Sequence, residues 1–231
     1  MDGNPGPDQR FHGRRKSRPL KPRQRRLVED LLPAIRITAD DDALLADPSR
    51  LFAPPPDRMV LEIGFGGGEH LARLAETRPD DGFIGCEPFV NGVAKLLVAI
   101  EEKGLANIRI WDDDARPLLD LLGPRTLDEV FLLYPDPWPK KRHRKRRFVN
   151  AGNLERLHRV LKPGGLFFFA SDIPDYAAWT LEHVRRHGGF EWLAEGPDDW
   201  RRPPEGWRPT RYEAKALRAG RTPAYLRFAR R

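Results

Sequence analysis

The chain has 231 residues, 39% of them hydrophobic and 32% charged, with a formal charge of +7 and a mean hydropathy of −0.63. This is enough apolar material for one sizeable α/β unit, and too little chain for two ordinary domains. No run approaches the roughly 20 apolar residues of a membrane span, no apolar segment follows the basic start as a secretory leader requires, and the single cysteine, Cys86, cannot close an internal disulfide, which fits a reducing cytoplasm.

Residues 1–26 are rich in Pro, Gly and Arg without hydrophobic periodicity and read as a mobile basic arm, leaving 27–231 as one folded unit. Leu27 to Pro33 can form a short helix, and the stretch down to the Pro54-Pro55-Pro56 run reads as loop. From Arg58 onward short apolar runs alternate with helical patterns, the signature of a parallel sheet with crossover helices. The expected strands are Met59–Ile63, Gly82–Glu87, Ile108–Asp112, Val130–Tyr134 and Leu166–Ser171, with two later ones at Phe190–Ala194 and Ala224–Ala229. Helices are expected near 69–77, 92–103, 116–122, 148–161 and 174–187; in the second, Val93, Leu96, Leu97 and Ile100 share one helical face. These elements make a doubly wound, mostly parallel seven-stranded α/β sheet, with the order of the last two strands open.

The charge is unevenly spread. Arg10 to Arg26 holds nine Lys or Arg and no acid, and Lys140 to Arg147 holds seven more. The remainder carries 25 basic against 34 acidic residues. An acidic body with two concentrated cationic segments is suited to meeting a polyanion at one place.

Val60 to Gly68 is a buried strand running into Gly64-Phe65-Gly66-Gly67-Gly68. Glycines there let the backbone approach a ligand closely. A dinucleotide fingerprint requires a further glycine where Glu69 stands, and an acid opening the helix is a poor host for a pyrophosphate. The Gly64, Gly66, Gly68 spacing, with Glu62 two residues before it, instead resembles the first motif of the Rossmann-like methyltransferases. Their cofactor, S-adenosylmethionine, carries a sulfonium and an ammonium group, for which a carboxylate is favourable. The second strand ends in Glu87, 25 residues after Glu62, placed to accept two ribose hydroxyls. The third ends in Asp112-Asp113-Asp114-Ala115; in that superfamily an acid here contacts adenine, and Asp114, directly before Ala115, is the expected one.

Leu133-Tyr134-Pro135-Asp136-Pro137-Trp138-Pro139-Lys140 starts at the end of the fourth strand. Each proline fixes its own φ and pushes its predecessor toward an extended backbone, so Asp136 and Trp138 should be held stiffly. A rigid turn alone does not account for an acid and an indole between the prolines, nor for the cationic run that follows.

The run from Tyr134 to Arg147 closely resembles the signature of the bacterial tRNA (guanine-N7-)-methyltransferases, PDPW followed by lysine and an RHxKRR segment. The resemblance covers Val60 to the C-terminus and includes Ser171-Asp172 and Thr210-Arg211-Tyr212-Glu213. Tyr134 stands where Phe is usual, and Pro139 lies inside the motif. The resemblance implies methyl transfer from S-adenosylmethionine to N7 of a guanine in the variable loop of tRNA, in the cytoplasm, with no metal. It implies Glu62, Gly64, Gly66, Gly68, Glu87, Asp114, Ala115 and Asp136 at the cofactor, with Asp136 also catalytic. Lys140, Asp172, Thr210, Arg211, Tyr212 and Glu213 would contact the substrate. Arg142, His143, Arg144, Lys145, Arg146 and Arg147 would contact RNA.

Two rivals are weaker. Methyltransferases of exocyclic amines carry Asn or Asp followed by two prolines and an aromatic, whereas a single proline separates Asp136 from Trp138. A non-catalytic RNA-binding protein on the same fold has no need to keep Glu62, the glycines, Glu87 and Asp136 together. His183 and His187 have ligand-like spacing but no third ligand, Cys86 reads as a core residue, and Trp192, Trp200 and Trp207 stay undecided between core and RNA.

Overall fold

Met59–Ile63 and Gly82–Cys86 are buried along their whole length, as strands of a parallel sheet covered on both faces must be. The computed structural model, which describes residue 13 and residues 15–231, places them in a seven-stranded sheet. Its strands are β1 (Met59–Ile63), β2 (Gly82–Cys86), β3 (Ile108–Trp111), β4 (Leu127–Leu133), β5 (Leu161–Ser171), β6 (Phe190–Trp192) and β7 (Ala224–Arg230). The order is β3-β2-β1-β4-β5-β7-β6. Strands β1 to β5 pair in parallel, while β7 runs antiparallel to both β5 and β6. The order reverses at β1, so a crevice opens there beyond the carboxyl ends of the strands.

Among the described residues, three α-helices precede the sheet: α1 (Pro22–Asp30) and the one-turn α2 (Leu32–Ile35) and α3 (Asp42–Leu45). The crossovers are α4 (Glu69–Thr77), α5 (Val90–Lys103), α6 (Ala115–Leu121), α7 (Ala151–Val160) and α8 (Pro174–His187). The one-turn α9 (Asp198–Arg201) and α10 (Arg211–Arg218) link β6 to β7. Alternation along each strand feeds two cores. Leu61, Ile84, Leu132, Phe167 and Phe228 pack with Leu118, Leu154, Tyr176 and Val184 on one face; Val60, Phe83 and Ile110 pack with Leu71, Val93, Leu97 and Leu27 on the other.

Several boundaries differ from those expected. Residues 1–12 and 14 of the basic arm lie outside the described residues. Residues 22–26, assigned by composition to that arm, instead open α1, whose Leu27 is buried against α5. Arg23 donates to Glu101 and Glu102 at 2.9 and 2.7 Å, and Arg26 also pairs with Glu101. The cationic run is therefore partly neutralised by acids about 75 residues away, a complement that no local window contains.

Strand β4 starts at Leu127 because the buried Glu129 is answered by Arg58 and Arg78, at 2.6 and 2.9 Å. Strand β5 starts at Leu161, earlier than its Pro163-Gly164-Gly165 stretch suggested: Leu127 faces Leu161 and Glu129 faces Leu166, so those residues bulge within the ladder. Helix α7 starts later than expected, where the Asn150 side chain caps it by accepting from the Asn153 N–H.

Candidate active site

The β1–α4 turn takes the left-handed conformation at Gly64, Gly66 and Gly68, with φ of 72°, 59° and 77°, values that side-chain-bearing residues adopt at a cost. It forms one wall of a cavity of about 640 Å³ at the carboxyl ends of β1 to β4, a size suited to a nucleoside-bearing cofactor. Close approach extends beneath the turn. A Cβ on Gly92, in the first turn of α5, would lie 2.1 Å from the Gly66 carbonyl oxygen.

Glu87 closes the end of β2. Its carboxylate accepts the Gly66 N–H at 2.7 Å and the Phe89 N–H at 3.0 Å, bridging the glycine turn to the start of α5. Burial outweighs these two donors and pushes its carboxyl pKa up to about 7. After β3, Asp114 caps α6 by accepting the Arg116 N–H at 2.9 Å, and the Arg116 guanidinium folds back onto the same carboxylate. Both residues line the cavity, as does Ala115.

The opposite wall is the loop after β4. Tyr134 and Trp138 hold φ of 51° and 42°, so two bulky residues bracket Pro135-Asp136-Pro137 in a strained backbone. Two contacts brace it: the Tyr134 N–H donates to the Ala170 carbonyl at 2.8 Å, and Arg147 donates to the Pro137 carbonyl at 2.9 Å. Asp136 stands at the cavity mouth with its side chain still open to solvent, and partial desolvation by the surrounding walls raises its carboxyl pKa. Trp138 lines the same mouth, with the Arg146 guanidinium 5.0 Å above its ring and His143 edge-on at 6.0 Å. The 3-10 turn Lys141–Arg146 therefore ends at the pocket, where Lys145 and Arg146 line it, while Lys141 and Arg142 are exposed outside it.

Residues 56–226 match the protein family described as "Putative methyltransferase". The chain is 56% identical to a tRNA (guanine-N(7)-)-methyltransferase of Agrobacterium fabrum over 224 residues, covering 96% of this chain and 95% of that one. It is also 56% identical to the enzyme of that name from Rhizobium meliloti, covering 95% and 94%. The chain belongs to the tRNA (guanine-N(7)-)-methyltransferase family. Solved structures share the fold at low identity. A 16S rRNA (adenine(1408)-N(1))-methyltransferase from Catenulisporales acidiphilia gives a TM-score of 0.53 at 18% identity, covering 84% of this chain and 91% of that one. A precorrin-6y C5,15-methyltransferase from Geobacter metallireducens gives 0.51 at 15%, covering 85% and 92%.

In this tRNA (guanine-N(7)-)-methyltransferase family member, Gly64, Gly66, Glu87, Asp114, Ala115, Asp136 and Tyr212 meet at one cavity. Gly68 lies behind it against Leu96. Glu62 is buried beneath the turn, 2.8 Å from His70 Nδ1, and His70 packs between Phe131 and Trp207. Lys140 and Arg142 are exposed outside the cavity, while Lys145 and Arg146 reach its edge.

Arg147 corrects an expectation. It is only 1% exposed, its guanidinium is taken by Pro137 and Asp175, and it lies over the rings of Tyr176 and Trp179. It braces the loop and cannot present itself to a phosphate; in return it holds the Asp175 carboxyl below the usual range. Arg144, three residues earlier in the run, also pairs with Asp175, at 2.8 Å.

The Thr210-to-Glu213 motif divides likewise. Thr210 caps α10 by accepting the Glu213 N–H at 3.1 Å. Glu213 is buried and accepts from Trp207 Nε1 and the Tyr225 hydroxyl, so its place is inside the protein and not on a substrate. Arg211 lies over the Tyr212 ring, and Tyr212, half exposed, leans over Gly66. Asp172 lies outside the cavity, bound by Arg221 at 2.6 Å.

The sequence reading missed Arg116 and Gly92 and left Trp207 undecided between core and RNA. Arg116 had a signal, a cation two residues after an acid at a helix start. Gly92 had another, a glycine in the first turn of an otherwise apolar helix. Trp207 had none, because the aromatic slot of Phe168, His70 and Tyr225 that receives it is assembled from three distant elements.

Proposed function

We propose that this chain transfers the methyl group of S-adenosylmethionine to N7 of a guanine in tRNA, in the cytoplasm. The observation that carries the reading is the cavity itself: a pocket lined by the glycine turn, by carboxylates and by the stiff Asp136–Trp138 loop, with a cationic turn whose Lys145 and Arg146 reach its edge. The glycine turn is followed by Glu69, not by cations suited to a pyrophosphate, so the donor set favours a sulfonium nucleoside over a dinucleotide.

Glu87, fixed by Gly66 and Phe89, offers its remaining lone pairs to the two hydroxyls of a ribose. Asp114, held by Arg116, faces the base of the nucleoside. S-adenosylmethionine supplies an activated methyl with a neutral thioether as leaving group. The guanine N7 lone pair forms the new N–C bond as the S–C bond breaks, and that electron pair remains on sulfur. No proton is lost, so the protein's work is to align the base and to stabilise the positive charge that appears on it.

Asp136 does this at the cavity mouth, its carboxylate favouring the cationic product ring and accepting from the guanine N–H edge. Exposed Arg142 and Lys145 hold the RNA backbone nearby. The test is direct. Purified protein incubated with S-adenosylmethionine and unmodified tRNA should yield 7-methylguanosine on nucleoside mass spectrometry. Another methylated nucleoside would overturn the N7 assignment and keep the transferase.

A further inference from the structure

The adenosine end of the cavity is covered from outside by a segment that sequence assigns to a mobile arm. Gly13 lines the cavity together with Glu87, Pro88, Phe89 and Asp114. The chain then runs across the start of α5 and is pinned there. The Arg15 carbonyl accepts the Val90 N–H at 3.0 Å, satisfying a first-turn donor that a helix leaves open. Asn91 makes two more contacts to the segment's backbone: its Oδ1 accepts the Ser17 N–H at 3.0 Å, and its Nδ2 donates to the Arg18 carbonyl at 2.8 Å. The Arg15 guanidinium reaches Asp113 at 2.7 Å, directly before the cavity residue Asp114.

We infer that Gly13 and residues 15–18 are the outer wall of the cofactor site and that Asn91 is the clamp that closes it; the inference rests on the cofactor assigned above. The segment is attached through α1, whose buried Leu27 anchors it to the core, yet residues 15–19 are themselves exposed. The described contacts that hold it are polar and at the surface, so they open at low cost and close again. A cofactor seated against Glu87 and Asp114 gives the wall an inner face to rest on. Closing it then removes the most direct route by which the adenosine end leaves. The wall is thus a retention device, and it acts on how long the cofactor stays.

Amide hydrogen exchange on the full-length chain, with and without S-adenosylhomocysteine, tests this. Gly13, residues 15–18 and the Val90 amide should gain protection when the ligand binds. Asn91→Ala should lose that gain and release the ligand faster, by roughly tenfold for two lost hydrogen bonds, with an unaltered melting temperature showing that the fold is intact. Equal exchange with and without ligand, or a release rate within twofold of the parent, would overturn the wall while leaving the cofactor assignment standing. Failure of the parent chain to bind S-adenosylhomocysteine at all would overturn both.

Discussion

The backbone N–H of Gly66 donates to the Glu87 carboxylate across 2.7 Å, so the glycine turn and the end of β2 are one unit. The same carboxylate has its pKa raised from the ordinary 4.5 to about 7, chiefly by burial. Between those values the folded chain binds more protons than the unfolded one. The stabilisation is therefore full below the lower value and is lost as pH rises through the upper one.

Ribose hydroxyls donate to the ionised form, so cofactor binding should expel that proton. Affinity for S-adenosylhomocysteine should rise with pH, by about tenfold between pH 6 and pH 8 if only ionised Glu87 binds. Calorimetry in buffers of different ionisation enthalpy would detect the released proton. Glu87→Gln should bind more weakly and lose the pH dependence; an unaltered slope in that variant would assign the titration elsewhere.

Gly92→Ala should damage the same unit from below. A Cβ there would sit 2.1 Å from the Gly66 carbonyl oxygen, a backbone atom that cannot rotate aside. Overpacking of this kind costs about 1–3 kcal/mol. The expected result is a lowered melting temperature together with weakened cofactor binding, since the turn must shift to admit the methyl group. Thermal melts with and without S-adenosylhomocysteine measure both effects on one sample.

The basic run should split in two by phenotype. Arg142→Ala and Lys145→Ala remove exposed cations and should leave the melting temperature alone. Each should weaken tRNA binding and reduce the salt slope by roughly 0.9. Arg147→Ala removes a buried brace that holds Pro137 and packs on Tyr176 and Trp179, and should cost roughly 2 kcal/mol of stability. Its salt slope should stay as in the parent. Filter binding at several ionic strengths, beside denaturant unfolding, separates the two classes.

This split marks where sequence stops being informative. Strands β1 to β5, the glycine turn and Glu87 follow from local periodicity and spacing, because the physics that places them is local, whereas the roles expected of Asp114 and Asp136 come from the family resemblance. Arg147 looks like its neighbours in the run and differs because Pro137, Asp175, Tyr176 and Trp179 together enclose its guanidinium. Glu213 likewise looks like a ligand-facing acid until Trp207 and Tyr225 converge on it. Residues 22–26 read as part of a mobile basic arm until Glu101 and Glu102 arrive from α5. Each failure is a tertiary partner overriding a local pattern.

Asp136 should govern the chemical step more than binding. It lies between two prolines, in a loop held by Tyr134 and Trp138 at positive φ, and a carboxylate fixed there need not reorganise as charge develops on the guanine. Asp136→Asn keeps the shape and removes the charge. Single-turnover methylation with saturating cofactor and tRNA should slow by about 10²-fold, while tRNA affinity changes little. Because partial desolvation raises the Asp136 pKa, the parent's single-turnover rate should also climb with pH as the carboxyl ionises. The guanine N7 has no proton to lose, so that climb belongs to the enzyme, and the asparagine variant should show a flat profile. Near-parental turnover in Asp136→Asn would transfer the role to another carboxylate at the cavity, with Glu87 and Asp114 the nearest in chemistry.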